Sequence, residues 1–179
     1  MSAPENILQA IRAPGLRDLV SHWYRCRKGH LVTRRSDFDI FGIAALLPFV
    51  FLYDYDRQTR DLTLRLAGEE IRRLLPNSVA GTPLERIMPT EVLPEVLARY
   101  RRICEQPAIG VFTGQVFLNL GGSGTGERLL LPLADAAGHV HQMLGATFYQ
   151  LDDGPGGQHF AREDVTSSFF PLLAPSEPE

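Results

Sequence analysis

The chain has 179 residues, 44% of them hydrophobic and 22% charged, with a formal net charge of −3. That length fits one domain with a real core, and the acidic balance argues against general nucleic-acid affinity, which draws on a basic surface. Cys26 and Cys104 are the only cysteines, too few for a disulfide framework or a zinc set, so a reducing compartment fits.

The N-terminus, MSAPENILQAIRAPG, lacks the charged-then-apolar order of a signal peptide. The longest apolar run, Phe41 to Tyr55, is broken by Pro48 and falls short of the ~20 residues a membrane helix needs. A cytoplasmic protein with no membrane and no nucleic-acid partner is the expectation.

In chain order, residues 1–15 form an N-terminal extension whose cluster Ile7, Leu8 and Ile11 suits a loose helix. After Pro14-Gly15, Leu16, Leu19, Val20 and Trp23 recur at i, i+3, i+4 and i+7, one face of an amphipathic helix ending near Gly29. Arg25, Arg27 and Lys28 suit the helix dipole in its last turn, and with Arg34 and Arg35 they read as a solvated helix end. Phe38 to Leu47 fits another short helix closed by Pro48.

Phe49 to Tyr55 is a strand with aromatics at alternate positions, and Leu62 to Ala67 a second, joined by a polar turn into a hairpin. In the second strand Leu62, Leu64 and Leu66 alternate with Thr63, Arg65 and Ala67, so the leucines are expected on the buried face. Gly68 ends that strand, Ile71, Leu74 and Leu75 sit at helical spacing, and Pro76 stops the turn. Thr82-Pro83-Leu84-Glu85 reads as a capping box opening a short helix near Pro83.

A longer helix spans about Thr90 to Gln106, burying Leu93, Val96, Leu97, Tyr100, Ile103 and Cys104. Three strands follow, Ile109 to Leu120, Arg128 to Asp135 and Val140 to Tyr149, separated by Gly121–Gly126 and by Ala136–His139. Residues 151–179 form a tail, partly mobile, with Phe169, Phe170, Leu172 and Leu173 expected to dock on an apolar surface.

The segments LVSHWYRCRKG, ALLPFVFLYDY, LTLRLAGEEIRRLL, AGTPLERIMP and ERLLLPLADAAGHVHQMLGATFY, in that order, resemble a bacterial family of small stand-alone PAS-like proteins. Trp23, Arg65, Gly68, Gly81 and Pro132 occupy the family-like positions. The resemblance covers roughly residues 16–150. It implies an α+β fold: a five-stranded antiparallel sheet with short helices and one longer helix on one face, plus the N-terminal amphipathic helix. It further implies a sensory or regulatory module in which the sheet curls around a cavity, with output through a separate signalling protein.

Such a cavity joins apolar walls to a few aimed polar groups. The candidate ligand contacts are Arg65, Tyr100, Tyr53, Phe117 and Met143, with a small molecule as the ligand and the cofactor left unknown. Arg65 can hold a carboxylate or phosphate through two parallel hydrogen bonds, or else pair with Asp54 or Asp61. Leu16, Leu19, Val20 and Trp23 are the candidate homodimer interface, because that helix must cover its own sheet or a partner's.

A haem or flavin-photosensor version is not indicated: the long helix has no histidine, and no Asn-Cys-Arg-Phe-Leu-type segment occurs. Cys104 reads as an inert buried thiol, and His139 with His141 lacks a third metal ligand. Gly121–Gly126 reads as a hairpin loop, since no lysine-Ser/Thr ending or helix follows, and Ser123 lacks a nucleophile elbow. No enzyme is expected. The alternative is a small ketosteroid-isomerase-like cone fold acting on an apolar substrate, with Asp54, Asp135 or His141 as proton carrier.

Overall fold

The computed structural model describes residues 2–75, 77–117, 124–151 and 165–172; the side chains of residues 115–117, 124, 150 and 151 lie outside the described residues. Helix α1 covers Glu5–Ala10 and α2 Pro14–Arg25, followed by a 3-10 segment over Phe41–Phe49. Strands β1 (Val50–Tyr55) and β2 (Leu62–Ala67) lead into α3 (Glu69–Leu74), α4 (Leu84–Ile87) and α5 (Leu93–Glu105). Strands β3 (Ala108–Phe117), β4 (Gly124–Ala134), β5 (Val140–Leu151) and β6 (Val165–Pro171) complete the order.

The strands form one antiparallel sheet in the order β2-β1-β5-β4-β3-β6. The sheet thus has six strands where five were expected. The extra one is β6, in the stretch expected to be a partly mobile tail, and it pairs with β3 from Ala108↔Pro171 to Gly114↔Val165. Strands β3, β4 and β5 make a meander and β6 returns beside β3, a Greek-key arrangement. VTSSFFP has Val165 at one end and Phe169-Phe170 near the other with three polar residues between, so it shows no period-2 pattern to mark it.

Strand register sorts the sheet into two faces. Phe51 and Tyr53 lie opposite Gly145 and Met143, and Arg128 opposite Thr147 and Phe112. This inner face meets α5, where Tyr100 stacks on Phe51 at a ring separation of 6.4 Å and meets Tyr53 edge-on at 5.9 Å. Gly145 makes room for the aromatics: a Cβ there would stand 2.1 Å from the Phe51 ring. Gly68 likewise permits a close approach, its Cβ position lying 2.2 Å from the Leu47 carbonyl oxygen.

The outer face is covered by α1, α2 and the 3-10 segment. Ile7 and Ile11 are buried, as are Leu16, Leu19, Val20 and Trp23. The Trp23 indole donates from Nε1 to the Pro132 carbonyl at 2.9 Å, and Phe49 stacks on Phe148 at 4.5 Å. The Glu127 carboxylate, itself buried, accepts from the backbone N–H groups of Arg12 and Ala13 at 2.8 and 2.6 Å. Residues 2–15 are therefore pinned to the sheet through residues 7 to 13.

Two local expectations change. A register shift between Leu52 and Tyr53 places an extra residue in β2, so Leu62 and Leu64 are buried while Leu66 turns outward. Helix α4 begins at Leu84, as the Pro83 signal predicts, but no side-chain bond caps it. The Thr82 carbonyl instead accepts from Leu64 N–H, so this residue extends the β2 edge rather than capping a helix.

Candidate functional site

Between the inner face and the α3–α5 cover lies a small hollow of about 10 Å³, at the threshold for one water molecule. Its walls are Phe51, Leu64, Ile71, Leu75 and Met88, with polar groups from Tyr53, Ser78, Tyr100 and Arg128. Apolar walls around three hydroxyls and one guanidinium match the lining chemistry of small-molecule pockets, in a far smaller volume.

Arg128 is the central group. It stands on β4 with only 8% of its surface exposed. It donates from Nε to Thr147 Oγ1 at 3.0 Å and from Nη1 to Tyr100 Oη at 3.3 Å. Its guanidinium carbon lies 5.7 Å from the centre of the Phe51 ring, within cation–π range. Burial, with the Tyr100 phenol alongside, pushes the Tyr53 phenol well above its ordinary range, so it stays a neutral hydroxyl.

The expected ligand contacts divide. Tyr53 and Tyr100 line the hollow. Met143 is fully buried beside Tyr53 in register, within the packed core rather than in the lining. Phe117 ends β3, and its side chain is outside the described residues. Arg65 is not in the hollow: it projects from the opposite face, pairs with Asp54 at 3.3 Å, and borders an open groove with Arg35, His141 and Gln142. The alternation of β2 puts Leu64 inward and Arg65 outward, which decides this.

Arg128 was missed, together with Ser78 and Met88. A signal existed in the segment Glu127-Arg128-Leu129-Leu130-Leu131-Pro132: Arg128 is in phase with Leu130, so it points where the inner face points.

The candidate dimer face, Leu16, Leu19, Val20 and Trp23, is wholly enclosed within the chain, each with 0% exposure. The helix covers its own sheet. The large apolar side chains exposed on the described surface include Phe41 and Val79. The basic cluster after α2 is structural in part: Arg27 lies over the Trp23 and Tyr24 rings and Lys28 pairs with Asp37 at 2.9 Å.

The three candidate proton carriers, Asp54, Asp135 and His141, also lie outside the hollow. Asp135 accepts from the backbone N–H groups of His139 and Ala137, which hold its carboxyl below the ordinary range. Among the described residues, no three His, Cys, Asp or Glu side chains converge as a metal site. Among them, too, no helix is long and apolar enough to cross a membrane. The Gly121–Ser123 part of the glycine loop lies outside the described residues.

An antiparallel sheet with a run of short helices and one longer helix over one face defines a small α+β module enclosing a small hollow. The chain belongs to the PAS domain family: the family model described as PAS domain matches residues 11–148, from the end of α1 through most of β5. A comparison with curated proteins finds no match.

Proposed function

We propose that this PAS-domain chain is a sensory or regulatory module whose hollow takes a small anionic ligand with an apolar body, anchored by Arg128. The single observation that carries this reading is a guanidinium buried inside the fold, bonded to the Thr147 and Tyr100 hydroxyls among its partners and facing aliphatic and aromatic walls. A carboxylate placed there would gain a charge-assisted and geometrically matched partner. Among the described residues the lining contains no Asp, Glu or His, which favours binding over proton-transfer catalysis.

The hollow is too small for an organic molecule as it stands, so binding requires the cover to move. That cover is light: α3 and α4 are six and four residues long. A ligand that binds only the opened form shifts the population toward it, which turns occupancy into a change of surface that a separate signalling protein can read.

The test is a thermal-melt series with short aryl and alkyl carboxylates beside their amides. The acids raise the melting temperature of the wild-type chain and the amides do not, and Arg128→Met loses the difference. Equal responses to acid and amide, or an unchanged preference in Arg128→Met, would reject the proposal.

A further inference from the structure

The 3-10 segment Phe41–Phe49 carries no charged or hydrogen-bonding side chain, yet of its nine residues only Ile43 is buried. Ile40, Phe41, Ala44 and Ala45 are exposed, and the Phe41 ring projects with 86% of its surface in water. The hold of this segment on the sheet comes from elsewhere, from Ile43 and from Phe49 stacked on Phe148. A contiguous apolar run left in water marks a contact surface.

The flank of this run is basic. Residues 25–42 carry Arg25, Arg27, Lys28, Arg34 and Arg35 against Asp37 and Asp39, a net +3 in a chain whose total is −3. Arg27 is buried against Trp23 and Tyr24, and Lys28 pairs with Asp37. Arg25, Arg34 and Arg35 form no ion pair among the described residues. Arg25 is exposed and stands beside the tip: its Nη2 lies 3.4 Å from His22 Nδ1, and a Cβ on Gly42 would come within 2.2 Å of the His22 ring. The Asp39 carboxylate is turned onto the Phe41 N–H at 3.0 Å.

Charge selects the occupant. A second copy applying the same patch would set one +3 surface against another. A bilayer bearing anionic lipid attracts the arginines, and its headgroup–acyl boundary takes up a projecting ring without a matching pocket. We propose that the Ile40–Phe41 tip and its basic flank form a peripheral docking surface for anionic phospholipid. Phe41 enters the boundary and Arg25 meets the headgroup phosphates. The expectation of no membrane partner rested on the lack of a spanning segment, which contact with one leaflet does not need.

The experiment co-sediments the full chain with vesicles of phosphatidylcholine alone and of phosphatidylcholine mixed with phosphatidylglycerol. The chain partitions onto the mixed vesicles, about tenfold or more weaker onto the neutral ones, and raised salt releases it. Phe41→Ser lowers the partition about tenfold or more while keeping the wild-type melting temperature, because the ring is exposed. Arg25→Gln weakens binding to the mixed vesicles about fivefold and leaves the neutral ones unchanged. No partition onto the mixed vesicles, or partition indifferent to Phe41→Ser, overturns the proposal. So does a dimer in light scattering that Phe41→Ser dissolves while vesicles are ignored, since a second copy then covers the tip.

Discussion

Replacing Glu127 with alanine tests how the N-terminal helices are tied to the sheet. The carboxylate accepts the Arg12 N–H through both oxygens, at 2.8 and 3.1 Å, and the Ala13 N–H at 2.6 Å. These amides sit in the link between α1 and α2, where no helical carbonyl takes them. Alanine leaves two part-buried donors without their charged acceptor, at about 1–3 kcal/mol each. Water that reaches one of them reduces the sum, giving about 3 kcal/mol. For a domain of this size that corresponds to a melting temperature lower by roughly 6–12 °C. Glu127→Gln keeps one acceptor oxygen and loses about half as much. Urea unfolding gives the free energies, and hydrogen exchange shows whether the Arg12 and Ala13 amides open first. A loss below about 0.5 kcal/mol in Glu127→Ala would refute the idea that this carboxylate anchors the helices.

Other outcomes follow from the same packing. Gly145→Ala places a methyl 2.1 Å from the Phe51 ring and destabilises the fold by about 1–3 kcal/mol in denaturant melts; a neutral effect would mean the aromatic cluster can yield. Burial pushes the Cys104 thiol up to about 12, so in the native chain it resists a disulfide reagent at neutral pH and reacts on unfolding. Rapid native labelling at Cys104 would contradict its placement. Hydrogen bonds from Arg60 hold the Glu105 carboxyl below its ordinary range. A depressed folded value adds stability above the unfolded value of about 4.3 and loses it as pH falls through the folded value. Glu105→Gln is therefore less stable than wild type at neutral pH, and the gap closes in acid. A gap that persists at low pH would assign the effect to packing.

Much of the sheet and its helices was legible because periodicity and breakers agreed. Leu16, Leu19, Val20 and Trp23 marked the face that α2 buries, and the Pro83 signal marked the start of α4. What periodicity cannot carry is which partner a face meets: the α2 stripe looked equally suited to a second chain until the Trp23–Pro132 bond placed it on its own sheet. The β2 bulge shows a second limit, since one extra residue sends Leu66 outward against an unbroken alternation. β6 was missed because its place is set by a long-range return to β3 rather than by its own pattern. Arg128 was overlooked because a charge in a strand reads as surface until register shows which way it points.

The measurement closest to the central proposal is native mass spectrometry of the wild-type chain and Arg128→Gln, each incubated with small carboxylates and the corresponding amides. The proposal predicts a one-to-one complex with at least one acid and none with its amide in wild type, absent from the variant. Bare chains throughout, or an acid complex equally retained by Arg128→Gln, would contradict an anion-binding hollow.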